Sequence, residues 1–173
     1  SYTLPVVGAG WIIALTGLID DVKELSAKKK MIGILLAASL VWFLTDFRLN
    51  DFKIPFGGPL LHFEPWLSYL LTVIWIVAIT NAVNLIDGLD GLVSGVSIIS
   101  LVTMGIVSYF FLPVPNLFLT MTIFVLVASI AGFFPFNYHP AILYLGDTGA
   151  LFIGFMISVL SLQGLKNATA VAV

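Results

Sequence analysis

Apolar residues in this chain come in long continuous runs, interrupted by short polar stretches. Six runs stand out, over residues 4–19, 31–44, 65–86, 92–112, 117–136 and 148–165. A helix crosses a bilayer with roughly 20 mostly apolar residues. Only helices and closed barrels satisfy their own backbone polar groups in lipid. Barrel strands alternate apolar and polar positions over about 10 residues, and these runs are too long and too continuous for that. The pattern predicts an all-α fold: a polytopic transmembrane helical bundle of about six spans, the second short unless it extends through Phe47. Between the second and third runs, Asp51-Phe52-Lys53-Ile54-Pro55-Phe56 alternates in polarity, Gly57-Gly58 follows, and Leu60 to Glu64 resumes a strand-like run. That predicts a small extracytoplasmic β-hairpin with a glycine turn, its first strand kept at an edge by Pro55.

Composition strengthens this picture. The chain is 60% hydrophobic and 9% charged, with a mean hydropathy of +1.13, whereas a soluble domain carries about 25% charged residues. It cannot cover itself with a solvated surface. A formal net charge of −2 argues against a nucleic-acid partner, and the absence of cysteine excludes disulfides and thiolate metal sites. The first run has no basic segment before it and no cleavage site after it, so it reads as a span rather than a signal peptide. The chain starts at Ser1 and enters that run almost at once, as expected of a piece of a longer protein.

Six spans send the connections alternately to two sides. One side receives residues 20–30, 84–91 and 137–149; the other receives 46–64, the 113–116 turn and the C-terminal tail. Lys23, Lys28, Lys29 and Lys30 fall on the first side, against Arg48, Lys53 and Lys166 on the second. The excess of positive charge marks the first side as cytoplasmic.

The acids gather on that same side: Asp20, Asp21, Glu24, Asp87, Asp90 and Asp147. Carboxylates at membrane boundaries are costly unless paired, bound to metal or facing a polar cavity. A transporter or channel also uses such acids, but here they sit at span ends on one side, and no internal repeat accompanies them. Asp20 and Asp21 are adjacent and repel, so a cation is expected beside them, either Mg²⁺ or the amines of Lys23, Lys28 and Lys30. Asn84, Asp87 and Asp90 recur every third residue, which on a helix would place them on one broad face. Asp147-Thr148-Gly149 reads either as a helix start capped by a carboxylate or as an oxygen ligand for a hard cation. His139 reads as a loop anchor rather than a catalyst.

Four blocks taken together, namely Asp20-Asp21, Leu25 to Lys30, Asn81-Ala82-Val83-Asn84-Leu85-Ile86-Asp87-Gly88-Leu89-Asp90-Gly91, and Phe136 to Gly149, resemble in order and spacing the signature blocks of the polyprenyl-phosphate N-acetylhexosamine-1-phosphate transferases. The stretch from Phe136 to Ala141 and the hairpin residues Ile54 to Gly58 are most similar to the branch acting with UDP-GlcNAc and undecaprenyl phosphate. The runner-up is the phospho-N-acetylmuramoyl-pentapeptide transferase branch. The resemblance implies a Mg²⁺-dependent phosphoryl exchange, with Mn²⁺ as an alternative ion, at the cytoplasmic face of a bacterial plasma membrane. The product would be the lipid-linked sugar that starts teichoic-acid or O-antigen type glycans.

By the same resemblance Asp147 is the metal ligand. Asp20 is base or nucleophile, Asp21 supports metal or lipid phosphate, and Asp87 lines the same site. Lys28 and Lys30 meet phosphate, Asn84 borders the substrate, Asp90 and Asn137 hold the nucleotide, and Tyr144 stacks on uracil. The partners implied are a UDP-sugar, a polyprenyl phosphate, the membrane and, as an assembly, a homodimer. Residues 1–173 would form the central catalytic part of one membrane-embedded transferase domain, whose flanking spans and histidine-bearing loop lie outside this sequence. A covalent and a one-step mechanism both remain open at this stage.

Overall fold

Six helices occur among the described residues of the computed structural model, which are 3–53, 59–112 and 116–171. They are α1 (Thr3–Lys23), α2 (Ala27–Leu44), α3 (Pro65–Leu85), α4 (Leu92–Ile106), α5 (Leu117–Asn137) and α6 (Gly146–Val171). A π-helical turn, Val107–Phe111, continues α4. Each predicted run has become a helix. Five are long and apolar enough to cross a membrane by length and composition. The exception is α2, an 18-residue helix with three lysines in its first turn. At about 1.5 Å per residue it still reaches roughly 27 Å, close to the thickness of a hydrocarbon core.

Helices α1, α2, α3 and α6 form the main bundle, with α6 at its centre packed along both α1 and α3. Half of the spanning part of α6 is buried, against 22–33% for the other candidate spans. The core joins Ala9 and Ile13 of α1, Ile34, Ala37 and Val41 of α2, Ile76 of α3 and Leu151, Phe155 and Val159 of α6. A second cluster packs α4 and α5 together through Leu101, Leu119, Ile123 and Ile130, and onto α6 through Ile153 and Leu160. The outward faces carry Trp11, Ile99, Phe110, Met121 and Val125, all exposed. A surface of that kind is at home in lipid and would be an aggregation liability in water. The chain is a multi-pass membrane protein.

Hydrogen bonds across the bundle fix its ends. Asp21 of α1 meets the start of α6, and Asn84 of α3 meets Asp147 of α6, so the three acidic connections share one end. At the other end Trp42 of α2 donates to Ser68 of α3 (3.3 Å). Helix α2 therefore runs the length of the bundle. Beyond it, strands β1 (Asp51–Lys53) and β2 (Leu60–His62) pair antiparallel with Phe52 opposite Leu61. This is the predicted hairpin; its Gly57-Gly58 turn and Pro55 lie outside the described residues.

One local expectation fails. Asn84, Asp87 and Asp90 do not form a helical stripe, because α3 ends at Leu85 and residues 86–91 are turns. Gly91 enters α4 with φ of +72°, a left-handed conformation that suits glycine. The chain reverses there, and the three side chains serve different neighbours.

Candidate active site

Four helix ends deliver one polar side chain each to a single point. Asp20, in the last turns of α1, is only 5% exposed. It forms an ion pair with Lys30 in the first turn of α2 and accepts the Leu25 amide at 2.6 Å. Lys30 also reaches Asp147 at 2.8 Å. Asp147 accepts from the Asn84 side-chain amide at 2.5 Å. An ammonium thus lies between two carboxylates, and the amide of Asn84 completes the link to α3. Lys28 is exposed; two residues from Lys30 on a helix is roughly 200° around the axis, so it stands apart from this cluster.

The repulsion expected between Asp20 and Asp21 is resolved by sending them to different partners. Asp21 turns toward α6: its carboxylate accepts the amides of Asp147 (2.7 Å) and Thr148 (3.1 Å) and the Thr148 hydroxyl (2.5 Å). Asp147 therefore does not cap its own helix; the capping carboxylate comes from α1.

Asp87 sits in the turn after α3, half-buried. Burial first, then the charges of Asp147 and Asp21, raise its carboxyl pKa above the ordinary 3.8. Asp90 faces the other way. It accepts the Ala141 amide at 3.1 Å and bonds His139 at 2.9 Å. These two contacts, the Ala141 amide foremost, lower its pKa. His139 is thereby a loop anchor, as its setting in the sequence suggests. Buried Asn137 accepts from Ser94 (2.5 Å) and donates to the Leu143 carbonyl (3.0 Å), bracing the same loop.

Between these groups lies a cleft of about 310 Å³ lined by Asp87, Gly88, Leu89, Asp90, Asn137, Tyr144 and Gly146. Tyr144 is 72% exposed at its edge. The three residues expected to hold a nucleotide therefore share one cleft, and Asp87 belongs to it as well. Asp147 and Asp87 offer carboxylate oxygens, the ligands a hard cation prefers, with one Asp147 oxygen already taken by Lys30 and Asn84. An ion there would relieve the repulsion on Asp87. No three carboxylate or imidazole groups among the described residues converge as a ready ion site; Lys30 already neutralises Asp20 and Asp147.

The sequence profile of Glycosyl transferase family 4 matches residues 3–165. This chain belongs to glycosyl transferase family 4. It is 43% identical over 167 residues to the probable undecaprenyl-phosphate N-acetylglucosaminyl 1-phosphate transferase of Bacillus subtilis, covering 96% of this chain and 45% of that protein. It is 38% identical over 162 residues to the phospho-N-acetylmuramoyl-pentapeptide-transferase of Staphylococcus saprophyticus, covering 86% of this chain and 49% of that protein. The enzyme of that same name from Listeria innocua is 32% identical over 176 residues, covering 91% of this chain and 52% of that protein. The family 4 chain spans about half the length of these relatives.

Sequence reasoning missed Ser94 and Thr148 in this family 4 site. Both contacts depend on how neighbouring helices are rotated, which local spacing does not carry. Asp87 yields a prediction for stability. Its raised pKa means that the folded state holds the proton more tightly than the unfolded chain does. Its contribution to stability is full below the ordinary value of 3.8 and is lost as pH rises through the folded value. At pH 7 the ionised group therefore opposes folding. Asp87→Asn is expected to raise the melting temperature in detergent at pH 7, and by less at pH 4. A lower melting temperature at pH 7 would refute this electrostatic account.

Proposed function

We propose that this family 4 chain carries the catalytic centre of an enzyme that moves GlcNAc-1-phosphate from UDP-GlcNAc to undecaprenyl phosphate or a related polyprenyl phosphate. One observation carries the reading: Asp20, Lys30, Asn84 and Asp147 meet at one end of a lipid-facing bundle, beside a cleft that presents Asp90 and Tyr144. The acceptor's tail stays in lipid, so its phosphate lies at the membrane boundary, where Asp20 ends a span. The nucleotide comes from water, and the exposed cleft is open to it. We take that face to be cytoplasmic, in keeping with Lys23, Lys28, Lys29 and Lys30 nearby.

In the reaction an oxygen of the lipid phosphate bonds to the sugar-bearing β-phosphorus. The bond from that phosphorus to the bridging oxygen breaks, and UMP leaves with that oxygen and its electron pair. The products are UMP and the lipid-diphosphate sugar. Such a transfer needs positioning and charge neutralisation more than covalent help. Lys30 supplies a fixed positive charge, and Asn84 orients Asp147. Asp20 is the base, taking any proton the acceptor phosphate carries. Asp87 closes the site toward the cleft, where Tyr144 offers a ring face to uracil and Asp90 and Asn137 hold the walls. Lys28 attracts phosphate from solvent. Mg²⁺ or Mn²⁺, held by Asp147 and Asp87, would add neutralisation of the diphosphate.

The similarity to pentapeptide transferases makes sugar choice the decisive test. The membrane-embedded protein, given undecaprenyl phosphate with UDP-GlcNAc or UDP-N-acetylmuramoyl-pentapeptide side by side, is expected to turn over UDP-GlcNAc alone. Turnover of only the pentapeptide substrate would assign it the other reaction.

A further inference from the structure

We propose that Asp21 is a positioning residue, which fixes Asp147 by capping α6 from the neighbouring helix, and does not itself meet substrate. The first amides of a helix have no partner within it, and a side chain just before the helix usually supplies one. Here Leu145 precedes α6 and Gly146 begins it, and neither carries a side-chain oxygen. The acceptor comes instead from α1, more than a hundred residues earlier. Both Asp21 oxygens are used: one takes the Asp147 amide, the other the Thr148 amide and hydroxyl.

The surrounding backbone is shaped for this clamp. Gly146 has φ of +62°, and a methyl group there would lie 3.0 Å from both Asp21 carboxylate oxygens. One turn before Asp21 on the same face of α1, Gly17 touches the backbone of α6. A methyl group at Gly17 would meet the Thr148 nitrogen at 2.7 Å and the Asp147 carbonyl at 2.8 Å. Helix α1 and the start of α6 are thus held by close backbone approach and by three hydrogen bonds. The residue whose main chain is pinned is the one whose carboxylate receives Lys30 and Asn84. The adjacent acids divide the work: Asp20 faces the ammonium, and Asp21 sets where Asp147 points.

This inference rests on the proposed reaction for its kinetic readout only. Asparagine caps helices well and alanine does not. The one carbonyl oxygen of asparagine can still accept the Asp147 amide, while its NH₂ group accepts nothing from Thr148. The conservative variant therefore keeps Asp147 pinned and removes the charge. Asp21→Ala, Asp21→Asn and Thr148→Val would be assayed with UDP-GlcNAc and undecaprenyl phosphate, and amide hydrogen exchange followed at the first turn of α6. Asp21→Ala is expected to lower kcat at least about tenfold with KM for UDP-GlcNAc changed less than about twofold, whereas Asp21→Asn stays within about threefold of the wild type. The Asp147 and Thr148 amides exchange faster in Asp21→Ala, and Thr148→Val adds little to that variant, because both act through one clamp. Asp21→Asn as inactive as Asp21→Ala, with the Asp147 amide still protected, would overturn the proposal and give Asp21 a direct role in charge. If Asp21→Ala does not fold, Asp21→Asn alone decides by the same two readouts. If the wild type turns over neither sugar nucleotide, the proposed reaction fails, and the exchange measurement still decides the clamp.

Discussion

Lys30→Met is expected to destabilise the bundle by about 2–3 kcal/mol and to abolish turnover. The methionine keeps most of the side-chain volume and removes the charge. Asp20, 5% exposed, then loses its ion-pair partner and keeps the Leu25 amide. Breaking a fully buried pair costs about 3–5 kcal/mol; the smaller figure here allows for the partial exposure of Lys30 and Asp147, at 18% and 33%. Adding Asp20→Asn should restore at least half of the lost stability, because the stranded anion is removed with its partner, while turnover stays absent. Thermal unfolding in detergent of the two single variants and the double variant measures this coupling. A Lys30→Met protein that melts like the wild type would mean that the buried ion pair is not formed in solution.

The second large effect is expected at Asp147. Asp147→Asn keeps size and the backbone contacts to Asp21, but removes the charge that meets Lys30. It also turns an acceptor for Asn84 into a group that can present a competing donor. A loss of about 10²–10³ in kcat is expected, the range seen when one preorganised charge-stabilising group is removed. Binding of UDP-GlcNAc should persist, since the cleft is lined by other residues. Calorimetry beside a turnover assay tests both parts. Full activity at limiting Mg²⁺ would remove Asp147 from the centre of the site.

Much of this arrangement was legible in the sequence, for a definite physical reason. Apolar runs long enough to span lipid leave little choice of secondary structure, so α1 to α6 fall where residues 4–19 through 148–165 place them. The alternation of spans then sends Asp20, Asp87 and Asp147 to one end. What depended on geometry between helices was not legible. Asp20 and Asp21 look equivalent along the chain, yet about 100° of helical rotation sends one to Lys30 and the other to Thr148. The three-residue rhythm of Asn84, Asp87 and Asp90 suggests one helical face. The turn after Leu85 instead gives Asn84 to Asp147, Asp87 to the cleft wall within reach of the charges of Asp147 and Asp21, and Asp90 to the loop at His139. Lys30 was visible as a candidate, but its place between two carboxylates follows only from α2 packing beside α1.

A phosphoryl exchange in which a lipid phosphate and a UDP-sugar meet at this cluster should run in both directions. Incorporation of labelled UMP into UDP-GlcNAc, catalysed by the protein in membranes carrying the GlcNAc-diphosphate lipid product, tests the reverse of that step directly. Exchange is expected to require the polyprenyl carrier and to fall in step with turnover in Asp147→Asn. Label entering UDP-GlcNAc at the same rate without the carrier, or no exchange with both substrates present, would contradict it.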